Sequence, residues 1–406
     1  MNNVANPVDP DADDKRQNQL VRWLESLPPK ILVDTQSLRI VAADASFRRY
    51  WRVTTGIGFP RPFTRETLIV LDAPPTKESL EPFLSLASLL QRLGLRAPRC
   101  VARHDDLGFA LLEDFGDRSF TRALASGADE QTLYDLAIDT LATLNEQWRR
   151  RGEEELHDIA PEYRPPHYDC ERLINEALLF VDWHIPHLTG TSCTDEERHR
   201  FAAAIHTLAA TVDAHPLPKT LVLRDFHVDN LMDLSADVVQ NAAARRAGLL
   251  DFQDALIGSP AYDWVSLADD ARRDVPADLV VRIGQRFCAA TGLDPATVQG
   301  HAALLGLQRA LKIAGIFSRL DARDGKPAYL AHQARVWQRV HDGLRPDSAS
   351  ATARHFAQLP HWATAALEPL QWWFDGVLER HGLSLDKHPP AVLTARTRRS
   401  GSALQR

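Results

Sequence analysis

The sequence predicts an α+β fold of two lobes: a five-stranded N-terminal lobe with one helix, then a mainly helical C-terminal lobe. Three observations predict it. Between about residues 38 and 114, short runs of aliphatic, aromatic and Thr residues recur between turn residues, which is strand texture. After Gly116 the chain changes to long segments with apolar residues at helical spacing. Its 406 residues exceed what one core usually needs and suit two or three compact units, or one two-lobed chain.

Residues 1–14 are polar and rich in Asp, Asn and Pro, the composition of a disordered segment. Asp13 or Asp14 is expected to cap a helix to about Leu27, with Leu20, Leu24 and Leu27 on one face, and Pro28 and Pro29 end it. The N-lobe is set at 15–114. Its strands are expected at 38–43, 47–55, 66–71, 99–102 and 109–113, with the turn Asp44-Ala45-Ser46 joining the first two. A helix over 77–93, capped by Thr76, carries Leu80, Phe83, Leu84, Ala87 and Leu90 at helical spacing, and Gly94 ends it. The C-lobe is set at 115–388, with helices at 130–150, 168–185, 195–213, 277–291, 297–320 and 361–381. Two short strand patches interrupt it, 221–223 with 231–234, and 248–250. The stretch 389–406 lacks periodicity and carries Arg396, Arg398 and Arg399, so disorder is expected there.

Apolar residues make up 44% and charged residues 25%, which is ordinary for a globular protein. A net charge of -7 argues against a general nucleic-acid binder. No run approaches the roughly 18 apolar residues of a membrane span, and residues 1–15 do not read as a secretory or transit peptide. The four cysteines lie far apart without metal-ligand spacing, as expected of reduced thiols in a cytosolic protein. The expectation is a cytoplasmic monomer with no membrane or nucleic-acid partner.

The strongest chemical signal is Arg224-Asp225-Phe226-His227-Val228-Asp229-Asn230, followed by Asp251-Phe252-Gln253. Phosphoryl transfer needs a carboxylate to orient and deprotonate the attacking hydroxyl, and oxygen ligands for magnesium on the ATP phosphates. Asp225 suits the first task. Asn230, on the same loop, and Asp251, about 26 residues beyond Asp225, suit the second. The order Asp, Asn, Asp and its spacing match the kinase signature set.

On these residues the chain resembles the aminoglycoside phosphotransferase/choline kinase superfamily. Further segments narrow the likeness: Asp44-Ala45-Ser46-Phe47-Arg48-Arg49-Tyr50, Leu71-Asp72-Ala73-Pro74-Pro75, Leu111-Leu112-Glu113-Asp114-Phe115-Gly116-Asp117, Asp251-Phe252-Gln253-Asp254-Ala255, Gly258-Ser259-Pro260-Ala261-Tyr262-Asp263 and Leu311-Lys312-Ile313-Ala314-Gly315-Ile316-Phe317. In order and spacing they are similar to the bacterial anomeric kinases of N-acetylmuramate and N-acetylglucosamine that serve cell-wall recycling. The resemblance implies a protein-kinase-like bilobal fold with ATP between the lobes. It places Asp225 as the base facing the C1 hydroxyl, and Asn230 and Asp251 as magnesium ligands. The turn with Ala45, Ser46 and Phe47 stands where a glycine-rich loop would cradle phosphates with its N–H groups. Glu113 and Phe115 fall at the hinge that would hold adenine.

Three features depart from the general pattern. The third strand, Thr67-Leu68-Ile69-Val70-Leu71, lacks the phosphate-binding lysine. Arg48, Arg49 and Arg52 are the candidates to substitute, Arg49 first among them, its alternative being a solvated strand arginine. Glu78 and Glu81 then read as complements to a helix N-terminus. Arg224 stands where many small-molecule kinases have Gly. Two motif fragments are set aside: Asp114-Phe115-Gly116 as hinge, and Gly56-x-Gly58 as a hairpin turn.

Other candidates carry weaker signals. Glu176 and Arg272 are candidates for the sugar site, with Trp183 and Tyr262 as an apolar wall. Arg309, Lys312 and Arg319 share a helical face that either meets the lactyl carboxylate of N-acetylmuramate or is simply solvated. Asp263 reads as a brace for the catalytic loop, and His227 as packing or hydrogen bonding within it. His184 and His187 lack the partners of a metal site. Rival readings are another acceptor on the same fold (aminoglycoside, choline or homoserine) and a nucleotide-binding regulatory pseudokinase. The intact Asp225, Asn230 and Asp251 count against the latter.

Overall fold

A computed structural model describes residues 10–43, 48–56, 65–235, 247–381 and 383–385. The chain divides into two compact units, one of residues 1–126, 153–163 and 232–253, the other of 127–152, 164–231 and 254–406.

The first unit opens with α1 (Pro10–Glu25), β1 (Val33–Ala43), β2 (Arg49–Thr55), β3 (Thr67–Asp72), α2 (Glu81–Arg92), β4 (Cys100–His104), β5 (Phe109–Glu113) and α3 (Phe120–Ala125). The five strands form one antiparallel sheet in the order β1-β2-β3-β5-β4. Central β3 and β5 are buried along most of their length, which explains their near-continuous apolar runs. Val53, Leu68, Val70, Phe109 and Leu111 share a core with Leu20, Trp23 and Leu24 of α1. Trp23 stacks on Phe109 at 5.6 Å. Arg16 fastens the same helix: it donates to the buried Asp72 carboxylate at 2.7 Å and to the Leu107 carbonyl at 2.6 Å.

Two expected helix starts shift. α1 begins at Pro10, ahead of Asp13 and Asp14. α2 begins at Glu81 without a side-chain cap, because residues 74–78 form a turn whose Lys77 and Glu78 amides donate to the Pro74 carbonyl. Pro82 sits in the first helical turn, where its missing N–H has no intrahelical partner to lose. Residues 1–9, the turn at 44–47, Gly58 and all of 389–406 lie outside the described residues.

The remaining elements, in chain order, are α4 (Glu130–Ile159), α5 (Cys170–Leu179), a π turn at Phe180–His184, α6 (Ile185–Thr189), α7 (Asp195–Ala214), β6 (Thr220–Val222), β7 (Leu231–Met232), β8 (Gly248–Leu249), β9 (Leu256–Gly258), α8 (Ala261–Ala268), α9 (Ala277–Thr291), α10 (Pro295–Ala322), a 3-10 turn at Pro327–His332, α11 (Gln333–Leu344), α12 (Ala349–Thr352) and α13 (His361–Arg380). β6 pairs with β9, and β7 with β8, so the expected partnership of 221–223 with 231–234 is replaced. α8 escapes sequence reading because every one of its residues is buried, leaving no polar face to mark a period.

α10 is the axis of the second unit and packs against α5, α8, α11 and α13. Around it Phe180, Phe201, Trp337, Trp373 and Phe374 fill one core. Arg309 and Lys312 are 4% and 8% exposed, so the reading of a solvated cationic face is overturned. No helix of the described residues is long and apolar enough to cross a membrane.

Gly315 of α10 lies against the chain where α5 ends. A Cβ there would overlap the Leu179 backbone and come 2.6 Å from the Phe180 nitrogen. Gly315→Ala is therefore expected to destabilise the protein by about 1–3 kcal/mol, the usual cost of overpacking. Urea unfolding should show a lower midpoint with an unchanged slope; an unmoved midpoint refutes the close approach.

Candidate active site

β6 leads the chain into the loop that carries Asp225. The residue between them turns sharply: Arg224 has φ +72°. A side chain there is strained by roughly 1–2 kcal/mol, which Gly avoids. Several bonds hold the turn. The buried Asp263 carboxylate accepts the amides of Leu223 at 2.7 Å and Arg224 at 2.8 Å. Ser266 Oγ donates to the Arg224 carbonyl at 3.1 Å. The Arg224 guanidinium pairs with Glu176 of α5.

The partly exposed Asp225 emerges from this turn. Burial works against its ionisation, yet the positive charges of Lys312, Arg309 and Arg224 outweigh it and hold the carboxyl below its ordinary range. His227 contributes little near neutral pH, because burial and Arg272 drive its own pKa down. The loop closes on itself. Asn230 Nδ2 donates to the Asp225 carbonyl at 3.0 Å, and the Asn230 amide to His227 O at 2.9 Å. Arg272 contacts His227 Nε2 at 3.1 Å and pairs with Asp229 at 3.2 Å.

Glu176 of α5 is a further carboxylate of this unit. Lys312 lies 3.2 Å from it, Arg224 pairs with it and the Tyr168 hydroxyl donates to it. Burial would raise its pKa, but Lys312 and Arg224 bring it below the usual value. Tyr262 is buried and joins through Tyr168, hydroxyl to hydroxyl at 3.0 Å. The second unit thus gathers Glu176, Lys312, Arg309 and Arg224 about the loop of Asp225, with Arg272, from the segment after α8, bonded to that loop at His227 and Asp229. Arg319 is not of this group; burial and Arg323 depress its pKa. Trp183 is half-buried in the π turn. His184 is buried and bonded to Ser318 at 3.0 Å.

In the first unit, Asp251 follows β8 with φ +59° and accepts from Gln253 Nε2 at 2.7 Å. Phe252 stacks on Phe83 of α2 at 5.1 Å. Ala45, Ser46 and Phe47 lie outside the described residues. The three candidate arginines take different carboxylates. Arg52 pairs with Asp114 at 2.6 Å and Asp117 at 3.0 Å. Arg49 lies 3.1 Å from the buried Asp72, which Arg16 shares. Arg48 pairs with Glu78. Glu78 therefore precedes α2 and holds an arginine, instead of complementing a helix end; Glu81, in the first turn of α2, accepts from Ser85 at 2.8 Å. The Glu113 carboxylate takes Arg96 at 3.1 Å and Arg99 at 3.0 Å, while its amide donates to the Arg99 carbonyl at 2.8 Å. Phe115 is buried, with the Arg96 guanidinium 5.4 Å from its ring.

Asn230 offers an amide oxygen and Asp251 a carboxylate, and each is the kind of hard oxygen donor that magnesium takes. The Asn230 Nδ2 bond to the Asp225 carbonyl fixes the amide so that nitrogen and oxygen are not interchangeable.

Residues 37–303 match the Phosphotransferase enzyme family, well over half of the chain. The chain belongs to this family. An N-acetylmuramate/N-acetylglucosamine kinase of Neisseria meningitidis serogroup B is 34% identical to this phosphotransferase over 322 residues, 78% of this chain and 87% of that one. A protein of the same name from Pseudomonas aeruginosa is 33% identical over 371 residues, 87% of this chain and all of that one. Among solved structures, the GDP complex of wild-type aminoglycoside 2'-phosphotransferase-IIIa superposes with a TM-score of 0.52 at 12% identity, covering 82% of this chain and 99% of that chain. This likeness shows the fold, and the protein-kinase-like architecture expected from the sequence is the one this phosphotransferase has.

Two parts of the site had no usable sequence signal. Tyr168 lies outside every motif, and the Arg48–Glu78 pair spans a strand pair and a turn. The left-handed backbone at Arg224 did have one, the Gly expected at that position.

Burial pushes Asp263 up to about 7 against its two amide bonds. Because this lies above the ordinary carboxylate value, the group's contribution to stability is full below about pH 4. It is lost as pH rises through about 7. The stability of the native chain relative to Asp263→Asn should thus fall across that window in denaturant titrations; a pH-independent difference contradicts it. At Arg224 the backbone sets a second expectation: the Gly variant should be more stable than the Ala variant by about 1 kcal/mol, since both lose the Glu176 pair and only Gly relieves the turn. Equal melting of the two variants contradicts it.

Proposed function

We propose that this phosphotransferase transfers the γ-phosphoryl group of ATP to the anomeric C1 hydroxyl of N-acetylmuramate and N-acetylglucosamine, in the recycling of cell-wall amino sugars. The observation that carries the chemistry is Asp225, a carboxylate kept ionised by Lys312, Arg309 and Arg224 on a loop fixed by Asp263. Support for the acceptor comes from the names of relatives aligned over most of their length.

In this mechanism Asp225 orients the C1 hydroxyl and takes its proton as the oxygen attacks the γ-phosphorus and ADP leaves. Its lowered pKa keeps it ready as an acceptor throughout the neutral range. Asp263 and Ser266 hold the loop through Leu223 and Arg224, so the carboxylate needs no reorganisation. Glu176, Lys312 and Arg272 are the proposed polar partners of the sugar, with Tyr262 and Tyr168 behind Glu176. Asn230 and Asp251 would each give magnesium one oxygen, and the ion would supply charge neutralisation on the phosphates. For the nucleotide we propose the N–H groups of Ala45, Ser46 and Phe47, the arginines Arg48 and Arg49 beside them, and the Glu113–Phe115 backbone for adenine.

The same fold with an aminoglycoside or choline acceptor is the second reading. A choline box needs unpaired aromatic and acidic groups, whereas the Glu176 carboxylate is shared between two cations.

A coupled ADP-release screen over N-acetylmuramate, N-acetylglucosamine, glucosamine, choline and kanamycin should give sugar-dependent turnover with the first two. Turnover with choline or kanamycin alone sinks the acceptor assignment. Asp225→Asn should lower kcat by about 10²–10⁴-fold, the usual worth of a general base, while ATP still binds. Retained turnover removes Asp225 as the base.

A further inference from the structure

We propose that Arg309 is the receptor for an acidic substituent on the sugar, the lactyl carboxylate that distinguishes N-acetylmuramate from N-acetylglucosamine; this rests on the amino-sugar reading of the site. The structure sorts the three cations of α10. Lys312 is spent on Glu176 at 3.2 Å. Arg319 is apart from the group, beside Arg323 and Asp324. Arg309 is 4% exposed, and among the described residues it has no hydrogen bond and no carboxylate within ion-pair distance. Nor are its nitrogens among the sealed, partnerless atoms, so they open on solvent.

A buried guanidinium without a partner is costly, and a ligand anion is one way to supply that partner. The planar fork of arginine matches a carboxylate with two parallel N–H bonds. Location argues the same way. Arg309 lies one helical turn before Lys312 on α10, Lys312 lies 3.2 Å from Glu176, and Glu176 pairs with Arg224, the residue before Asp225, which puts Arg309 on the side of the catalytic loop. The charge of Arg309 is felt by Asp269, which Arg354 occupies at 2.8 Å. An acidic sugar that brings C1 to Asp225 meets repulsion from that carboxylate. A cation not already committed to an internal pair offsets it, and Arg309 is that cation in the group around Asp225.

The test compares kcat/KM of the full chain for N-acetylmuramate, its neutral methyl ester and N-acetylglucosamine. The native protein should prefer the acid over the ester by about tenfold or more, as expected when one member of a desolvated charge pair is removed. Arg309→Met should bring that ratio close to one, and Arg309→Lys should keep part of it. Melting curves of both variants identify any loss of fold, in which case the native acid-to-ester ratio still decides. A native ratio near one overturns the proposal. So does an Arg309→Met variant that slows all three sugars by one factor and keeps the ratio. If the native protein turns over none of the three, the amino-sugar reading itself falls and takes this inference with it.

Discussion

Two backbone amides given to one buried carboxylate organise the catalytic loop. The Asp263 carboxylate accepts from the Leu223 and Arg224 amides together, and this pair of hydrogen bonds fixes the backbone where the chain leaves β6. The backbone that presents Asp225 is thus held by Asp263, while its ionisation is favoured by Lys312, Arg309 and Arg224. Burial of Asp263 and its location at the start of α8, a helix with no exposed face, make the brace rigid.

A second theme is how the first unit manages without the usual lysine. β3 ends in the buried Asp72, on which two arginines, Arg16 and Arg49, converge. The arginines of β2 and of the residue before it are each held by a carboxylate: Arg48 by Glu78, Arg49 by Asp72, Arg52 by Asp114 and Asp117. Fixed guanidiniums lose less freedom when an anion arrives, which is the physical advantage of arranging them in pairs.

Much of this was legible in the sequence, for identifiable reasons. The five strands show because β2, β3 and β5 alternate or run apolar between turns, and the Asp225–Asn230 spacing shows because one short loop must present both groups. What stayed hidden has equally definite causes. α8 has no polar face, so no period marks it. β9 is three residues long and makes sense only beside β6. The basic face of α10 suggested solvent, because helical spacing tells which side chains share a face but not what the face meets. Glu176 was a bare candidate, and only folding showed that it joins Lys312 to Arg224.

The arginine at 224 has a consequence for how this chain can change over time. In a left-handed turn most side chains are penalised, so substitution there leads toward glycine. The pairing of the Arg224 guanidinium with Glu176 offsets that penalty. Exchange either partner alone, and a strained turn has lost its compensation or a carboxylate keeps only Lys312. The two positions are thus coupled: a glycine at 224 relieves the turn but leaves Glu176 with Lys312 as its remaining cation.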